Sequence, residues 1–307
     1  MAGYVLYNGF WNPQGPPDAA ARLAQAGQKR GADWTAVPNT ALFAQLGDRV
    51  RIEPLTPQDY VLFWDKDVRL GQAMEAMGIR LYNPAAAVAL CDDKAATHLV
   101  LAGQGIPMPR TWVAPMTYAA MNEQGDRFLA RAAADLGFPL VVKECYGSLG
   151  GQVYLARSWE ELLGLARGMG SKPFLLQEYV AAHAGQDARL YVVDGTVIAA
   201  MRRHSQTDFR ANIGCGGTGE RYTPTAQEEE LALRACSLLG TAIAGVDLLW
   251  DAAGRPMVCE VNSNAQMAAI TACTGVDVAG EIADYVLRQE SRRLSAAQEL
   301  APKGPRS

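Results

Sequence analysis

At the start of the chain, short apolar runs alternate with segments of helical period. GYVLYN, DYVLFWD and IRLYN read as strands, while DAAARLAQAGQKRG and RLGQAMEAMG space their apolar residues as a helix does. Strands separated by helices predict a parallel α/β unit. We end it at residue 86, just past Asn83-Pro84, because proline disfavours a helical residue before it.

The next stretch, DDKAATHLVLAGQGIPMP, predicts a helix with Asp92 near its N-terminus and Gly103 or Gly105 near its stop. PLVVKECYGSLGGQVYLA reads as strand, glycine-rich turn and strand, followed by a helix from Ser158 to Gly168 and the strand KPFLLQEYV. From Asp187 the pattern becomes mostly antiparallel. ARLYVVDGTVIAAMRR is a hairpin whose Asp194-Gly195 pair suits the positive φ of a two-residue turn. TAQEEELALRACSLLG is an amphipathic helix with Thr225 as its cap, and AIAGVDLLW joins RPMVCEVN through DAAG in a second hairpin. A final helix runs from Asp277 to about Glu299, and the polar tail APKGPRS is expected to be disordered.

The segment MVCEVNSN begins as a buried strand and then turns polar at every second residue. Glu260, Asn262 and Asn264 share one face if the extended run continues. Pairing Trp250 with Met257 across the turn sets Asp247 opposite Glu260, where Cβ atoms lie roughly 4.5 to 5.5 Å apart. Two carboxylates that close repel unless a cation or proton lies between them. With Asn262 they make an all-oxygen cluster suited to a hard ion such as Mg²⁺. An exposed polar face on an edge hairpin is the competing reading, and the apolar flanks favour the site.

Two further features suit anions. Gly147 to Gly151 form the turn GSLGG after a strand carrying Lys143. Glycine lets backbone N–H groups approach phosphate oxygens, and lysine supplies a point charge. A merely flexible hairpin loop is the alternative; neither a Walker loop nor a Rossmann fingerprint is present. RRHSQTDFRANIGCGG then gathers Arg202, Arg203, Arg210 and Asn212, an arrangement that fits phosphate or carboxylate, or else solvated surface charge.

Composition narrows the function classes. At 307 residues, 49% hydrophobic and 20% charged, the chain can bury a sizeable core. A net charge of -4 gives no reason to expect nucleic acid, and no apolar run suits a membrane span. The N-terminus reads as a strand, not a signal peptide. The 6 cysteines are scattered without paired spacing, as suits a reducing cytoplasm, and His98, His183 and His204 stand apart, which makes zinc improbable.

Taken in order, NPAAAVALCDDKAATHLVLAGQGIPMPRT, FPLVVKECYGSLGGQVYL, LLQEYV, GQDARLYVVDGTVIAAMRR, DFRANIGCGG, GVDLLW and VCEVNSN resemble the ATP-grasp superfamily, and within it the RimK-type carboxylate-amine ligases. The resemblance implies an α/β and α+β chain: a pre-ATP-grasp α/β domain over 1–86, a small α+β lid over 87–181, a C-terminal α+β subdomain over 182–298, and a tail over 299–307. It implies Lys94 and Lys143 at nucleotide phosphates and Gly150 and Gly151 in the covering loop. Glu178 and Tyr179 would lie along the adenine with Gln177 beside them, and Asp187 at the ribose. Arg210 and Asn212 would face the transferring phosphoryl group, with Arg210 and Lys143 as the catalytic pair. Asp247, Glu260 and Asn262 would hold Mg²⁺, or Mn²⁺ in its place.

The implied reaction is ATP-dependent amide bond formation through an acyl phosphate, releasing ADP and phosphate. It would join an amino acid such as glutamate to a peptide, a protein terminus or a small-molecule acceptor, with a homo-oligomer left open. Many RimK-type members follow Glu-x-Asn with Ser-Pro-Gly, whereas this chain has Ser263-Asn264-Ala265-Gln266. Asn264 therefore becomes a candidate specificity residue, with Arg202 and Arg203 as further substrate candidates. A degenerate nucleotide-binding sensor or scaffold is the alternative, against which stand the lysine, the arginine and all three metal oxygens together.

Overall fold

Every residue of the strand Tyr60–Trp64 is buried, as a strand covered on both faces of a parallel sheet should be. The computed structural model describes residues 2–10, 16–148 and 150–300. Its first segment comprises β1 (Gly3–Tyr7), α1 (Pro16–Gln28), β2 (Trp34–Pro38), β3 (Phe43–Gln45), β4 (Arg51–Glu53), β5 (Tyr60–Trp64), α2 (Val68–Ala76) and β6 (Arg80–Tyr82). β2, β1, β5 and β6 form a parallel sheet in that order, and β3 pairs with β4 as a separate ribbon.

The middle of the chain holds α3 (Ala85–Asp92), α4 (Lys94–Leu101), β7 (Thr111–Val113), α5 (Glu123–Leu136), β8 (Leu140–Glu144), β9 (Val153–Ala156), α6 (Trp159–Gly168) and β10 (Phe174–Glu178). It continues with β11 (Gln186–Val193), β12 (Thr196–His204), β13 (Thr218–Arg221), α7 (Ala226–Leu239), β14 (Ile243–Trp250), β15 (Pro256–Asn262) and α8 (Ala268–Thr274), and the last helix is α9 (Val278–Leu300). The chain divides into two compact units, one of Ala86–Val276 and one that joins Met1–Ala85 to Asp277–Ser307. Helix α9 thus groups with the N-terminal segment, whereas the sequence boundaries put it with 182–298. The tail beyond residue 300 and the segment 11–15 lie outside the described residues.

Two antiparallel sheets organise the larger unit. One has the order β7-β10-β8-β9; Leu140 and Val142 of β8 and Phe174 and Leu176 of β10 pack with α5 and α6 residues such as Leu129 and Leu162. The other has the order β13-β12-β11-β14-β15 and packs Ala188, Leu190, Val246, Leu248, Val258 and Val261 with Leu231, Ala235 and Leu239 of α7. Because side chains alternate across a strand, these apolar sets leave a second face on each sheet. Val141, Lys143 and Gln177 occupy it on the first sheet, and Asp187, Arg189, Arg203, Asp247 and Glu260 on the second.

The Asp194-Gly195 hairpin forms as expected, with Val193 paired to Thr196 and φ of 51° and 70° at the two turn residues. Thr225 caps α7 in a reciprocal capping box with Glu228. The cap of α4 is Asp93, not Asp92, which ends the preceding helix α3. The second hairpin differs in register from the expected Trp250–Met257 pairing. Trp250 faces Pro256 and Leu249 faces Met257, but an extra residue at Cys259 shifts the ladder and restores Asp247 opposite Glu260. Among the described residues no helix is long and apolar enough to cross a membrane.

Candidate functional site

The bulge at Cys259 turns both Cys259 and Glu260 into one cleft. This cleft is lined from both sheets, by Val141, Lys143 and Gln177 on one side and by Asp187, Asp247, Leu249 and Glu260 on the other. Gly147, Ser148 and Gly150 of the glycine-rich turn, and Phe209, Arg210 and Asn212 of the DFRAN loop, complete the wall.

Lys94 begins α4, where the Asp93 cap fixes the first turn. Its Nζ donates to the Gly147 carbonyl at 3.1 Å and lies 3.3 Å from Glu260 Oε1. Burial works to raise the Glu260 carboxyl, but Lys94, with Lys143 and Arg189, outweighs it and the repulsion of Asp247, holding Glu260 below the usual carboxylate range. Lys143 is buried, and among the described residues its polar contact is the Cys259 thiol, with Nζ–Sγ 3.7 Å. Arg210 donates to the carbonyls of Gly150 at 2.5 Å and Val153 at 3.3 Å while its Nη2 meets Asp208 at 2.7 Å. It ties the glycine-rich turn to the DFRAN loop. Gly150 stands at φ 78°, a conformation that suits glycine.

Gln177 is buried in the cleft wall, where its amide reaches Thr111 Oγ1 and His98 Nε2, both at 2.9 Å. Burial, with Lys143 second, depresses His98 to about 4. The neutral ring then donates from Nδ1 to the Lys94 carbonyl at 2.8 Å and accepts from Gln177. A histidine held neutral in the fold stabilises it above its unfolded pKa and loses that contribution as pH falls. The difference in urea-unfolding free energy between wild type and His98→Gln should therefore shrink between pH 6.5 and about 4, by on the order of 3 kcal/mol. A difference independent of pH would contradict the buried neutral ring.

Glu178, Tyr179, Asp187 and Asp247 also line the cleft, with contacts of their own to neighbouring side chains. Glu178 accepts from the Arg110 backbone N–H at 3.0 Å and Nε at 2.8 Å. Tyr179 lines the cleft edge-on to Phe209. Asp187 also lines it, yet both its oxygens accept from Arg203, at 2.6 and 2.7 Å. Asp247 is fully inside the protein and accepts from Arg189 at both oxygens and from Arg203 Nη2 at 3.0 Å. Burial pushes its carboxyl up, and the two guanidinium groups together bring it below the ordinary range. Arg202 does not face the cleft. Strand alternation turns it to the α7 side, where its guanidinium lies 4.9 Å over the Trp250 ring and donates to Gln186. Asn262 lies opposite Gly245, and neither it, Asn264 nor Gly151 lines the cleft.

Arg189, His98 and Cys259 were not among the expected site residues. Arg189 was legible: it follows Asp187 by two residues on a strand and so shares its face. His98 and Cys259 had no such signal, because their places depend on tertiary packing and on a bulge.

Among the described residues no group of three or more His, Cys, Asp or Glu side chains is poised to hold a metal. Of the expected donor set, the carboxylates of Asp247 and Glu260 line the cleft, while the Asn262 amide does not and its Nδ2 donates to the Gly245 carbonyl at 3.5 Å. Two carboxylates suit Mg²⁺, which takes one or two together with substrate phosphates. The fit needs Asp247 to be shared with the arginines already on it.

A RimK-like ATP-grasp domain model matches residues 91–286. The chain is 37% identical over 268 residues to beta-citrylglutamate synthase B of Danio rerio, covering 83% of this chain and 64% of that protein. It is 33% identical over 287 residues to a protein of Xanthomonas oryzae called "Probable alpha-L-glutamate ligase", covering 89% and 94% of the two chains. The chain thus spans less than two thirds of its zebrafish relative. The crystal structure of a RimK domain ATP-grasp protein from Sphaerobacter thermophilus superposes with a TM-score of 0.71 at 23% identity, covering 93% of this chain and 99% of that one, which speaks for the fold. With two antiparallel sheets facing one charged cleft and a family match spanning both sheets, the chain belongs to the RimK-like ATP-grasp family.

Proposed function

We propose that the chain is an ATP- and Mg²⁺-dependent carboxylate-amine ligase that forms an amide bond and releases ADP and phosphate. The observation that carries this is Lys143, a cation buried beside the glycine-rich turn with a thiol as its polar contact. Its charge reaches the Glu260 carboxylate but makes no ion pair with it among the described residues, and a buried charge held so loosely is costly unless an anion arrives to take it. Lys94 pairs with Glu260, and Arg189 and Arg203 with Asp247 and Asp187, so of these buried cations Lys143 is the one that makes no ion pair among the described residues. A phosphate group of a bound nucleotide would supply the missing anion.

In this reading Lys94 and Lys143 hold the nucleotide phosphates, and Arg210 keeps the glycine-rich turn over them. Gln177, Tyr179 and Phe209 border the base, while Asp187, through its bond to Arg203, shapes the ribose end. Mg²⁺, held by Glu260, Asn262 and Asp247, would neutralise phosphate charge. A substrate carboxylate oxygen bonds to the γ-phosphorus as the bond to the ADP oxygen breaks. The amine nitrogen then bonds to the carbonyl carbon, phosphate leaves, and the amine proton is released. Arg210 can steady the oxyanion of that second step.

Glutamate is proposed as the amine, on the strength of the two relatives' names, and citrate or a glutamyl peptide as the carboxylate. The thiols of Cys145, Cys236, Cys259 and Cys273 suit a reducing cytoplasm as its place of work. The test incubates the protein with ATP, Mg²⁺, glutamate and each acceptor and reads ADP and product mass together. Amide and ADP should appear in equal amounts, and Glu260→Gln should lower both by about a hundredfold or more. AMP as the product would contradict the acyl phosphate, and unchanged turnover in Glu260→Gln would remove that residue from the metal set. ADP binding with no amide from any acceptor would favour the sensor reading.

A further inference from the structure

Asp247 sits at the centre of a buried chain of charge. Arg189 lies directly across from it on the neighbouring strand, and its Nε and Nη2 take the two carboxylate oxygens, the latter at 2.7 Å. Arg203, one strand further, joins Asp247 to Asp187. The backbone makes room for this pairing. A Cβ at Gly245 would lie 2.9 Å from Arg189 Cδ and 2.6 Å from Ala265 Cβ, so glycine there lets the Arg189 stem pass over β14. Both sides of the ion pair are more than nine-tenths buried, and a fork-to-fork pair in that setting holds its geometry firmly.

We propose that Arg189 is a positioning residue that occupies Asp247 in place of the metal, so that a divalent cation gains this carboxylate by exchange with a guanidinium and not by filling an open site. The proposal rests on Asp247 being a metal ligand. Its consequence is that the fold holds a buried carboxylate without strain before the metal arrives, at the expense of affinity for metal alone. Glu260, which faces the cleft and Lys94, carries no such fork and is the ligand available first.

The experiment titrates nucleotide-free protein with Mn²⁺ alone, following the free ion by its paramagnetic signal, in wild type, Arg189→Gln, Arg189→Lys, Asp247→Asn and the double variant Arg189→Gln/Asp247→Asn. Arg189→Gln should tighten Mn²⁺ binding by about tenfold or more, the size of one close charge-pair coupling. Arg189→Lys, which keeps the charge and loses the fork, should show a smaller gain. The gain should vanish in the double variant. Unchanged or weaker binding in Arg189→Gln would overturn the proposal, and so would a gain in Arg189→Gln with none in Arg189→Lys, which would mean a field effect only. Should Arg189→Gln not fold, Arg189→Lys decides alone: a gain supports exchange and no gain overturns it. Asp247→Asn binding Mn²⁺ as wild type does would instead remove the metal reading on which the proposal stands.

Discussion

Replacing Lys143 with methionine is expected to lower ATP-dependent turnover by about a hundred- to a thousandfold, the usual loss on removing one preorganised electrostatic donor, while leaving the fold as stable as before or more so. The two effects part because of where the lysine sits. It is 8% exposed, in a cleft wall where its ammonium contacts the Cys259 thiol and makes no ion pair among the described residues. Methionine has a similar reach and carries no charge into that wall, so the substitution relieves a desolvated cation. Stability from urea unfolding and turnover should be measured on the same preparations. A loss of activity matched by a loss of stability would mean that Lys143 is a structural cation, and the case for a phosphate ligand would fail with it.

The second large effect has the opposite signature. Arg203→Met should destabilise the protein by about 3 to 5 kcal/mol, the range for removing one partner of a buried ion pair. Arg203 bonds both oxygens of Asp187 and reaches Asp247, and those two carboxylates are buried on neighbouring strands. Without it Asp187 loses its cation, and Asp247 keeps only Arg189. Adding Asp187→Asn to Arg203→Met should recover much of the loss, because the uncompensated charge goes too. Urea unfolding of the two single variants and the double checks this. Additive losses would show that Arg203 acts through packing.

The ladder of charges in the second sheet was partly legible before any coordinates. Asp187 and Arg189, and Glu260 and Asn262, each stand two residues apart on strands, which fixes their common face. The pairing of Asp247 with Glu260 came out as expected although the turn-side register did not, because the bulge at Cys259 compensates the one-residue shift. No pattern of apolar residues announces a bulge. Arg202 and Arg203 show the same limit from the other side: as neighbours on a strand they must face opposite ways, so grouping both as substrate residues could not hold. Helix α5 was legible and went unassigned. Its buried Leu129, Ala132, Ala133 and Leu136 follow helical spacing behind the Asn122 cap. The pairing of Lys94 with Glu260, and of His98 with Gln177, joins residues far apart in sequence, and such contacts appear only once the sheets are packed.

The central claim is that this cleft activates a carboxylate by phosphoryl transfer. Its most direct test supplies ATP, Mg²⁺, glutamate and a carboxylate acceptor, citrate or a glutamyl peptide, whose carboxyl oxygens carry a heavy-oxygen label. The account predicts one labelled oxygen in the released phosphate for each amide formed, because the amine attacks the acyl carbon and phosphate leaves with the carboxylate oxygen that had bonded to phosphorus. Unlabelled phosphate accompanying the amide would contradict it.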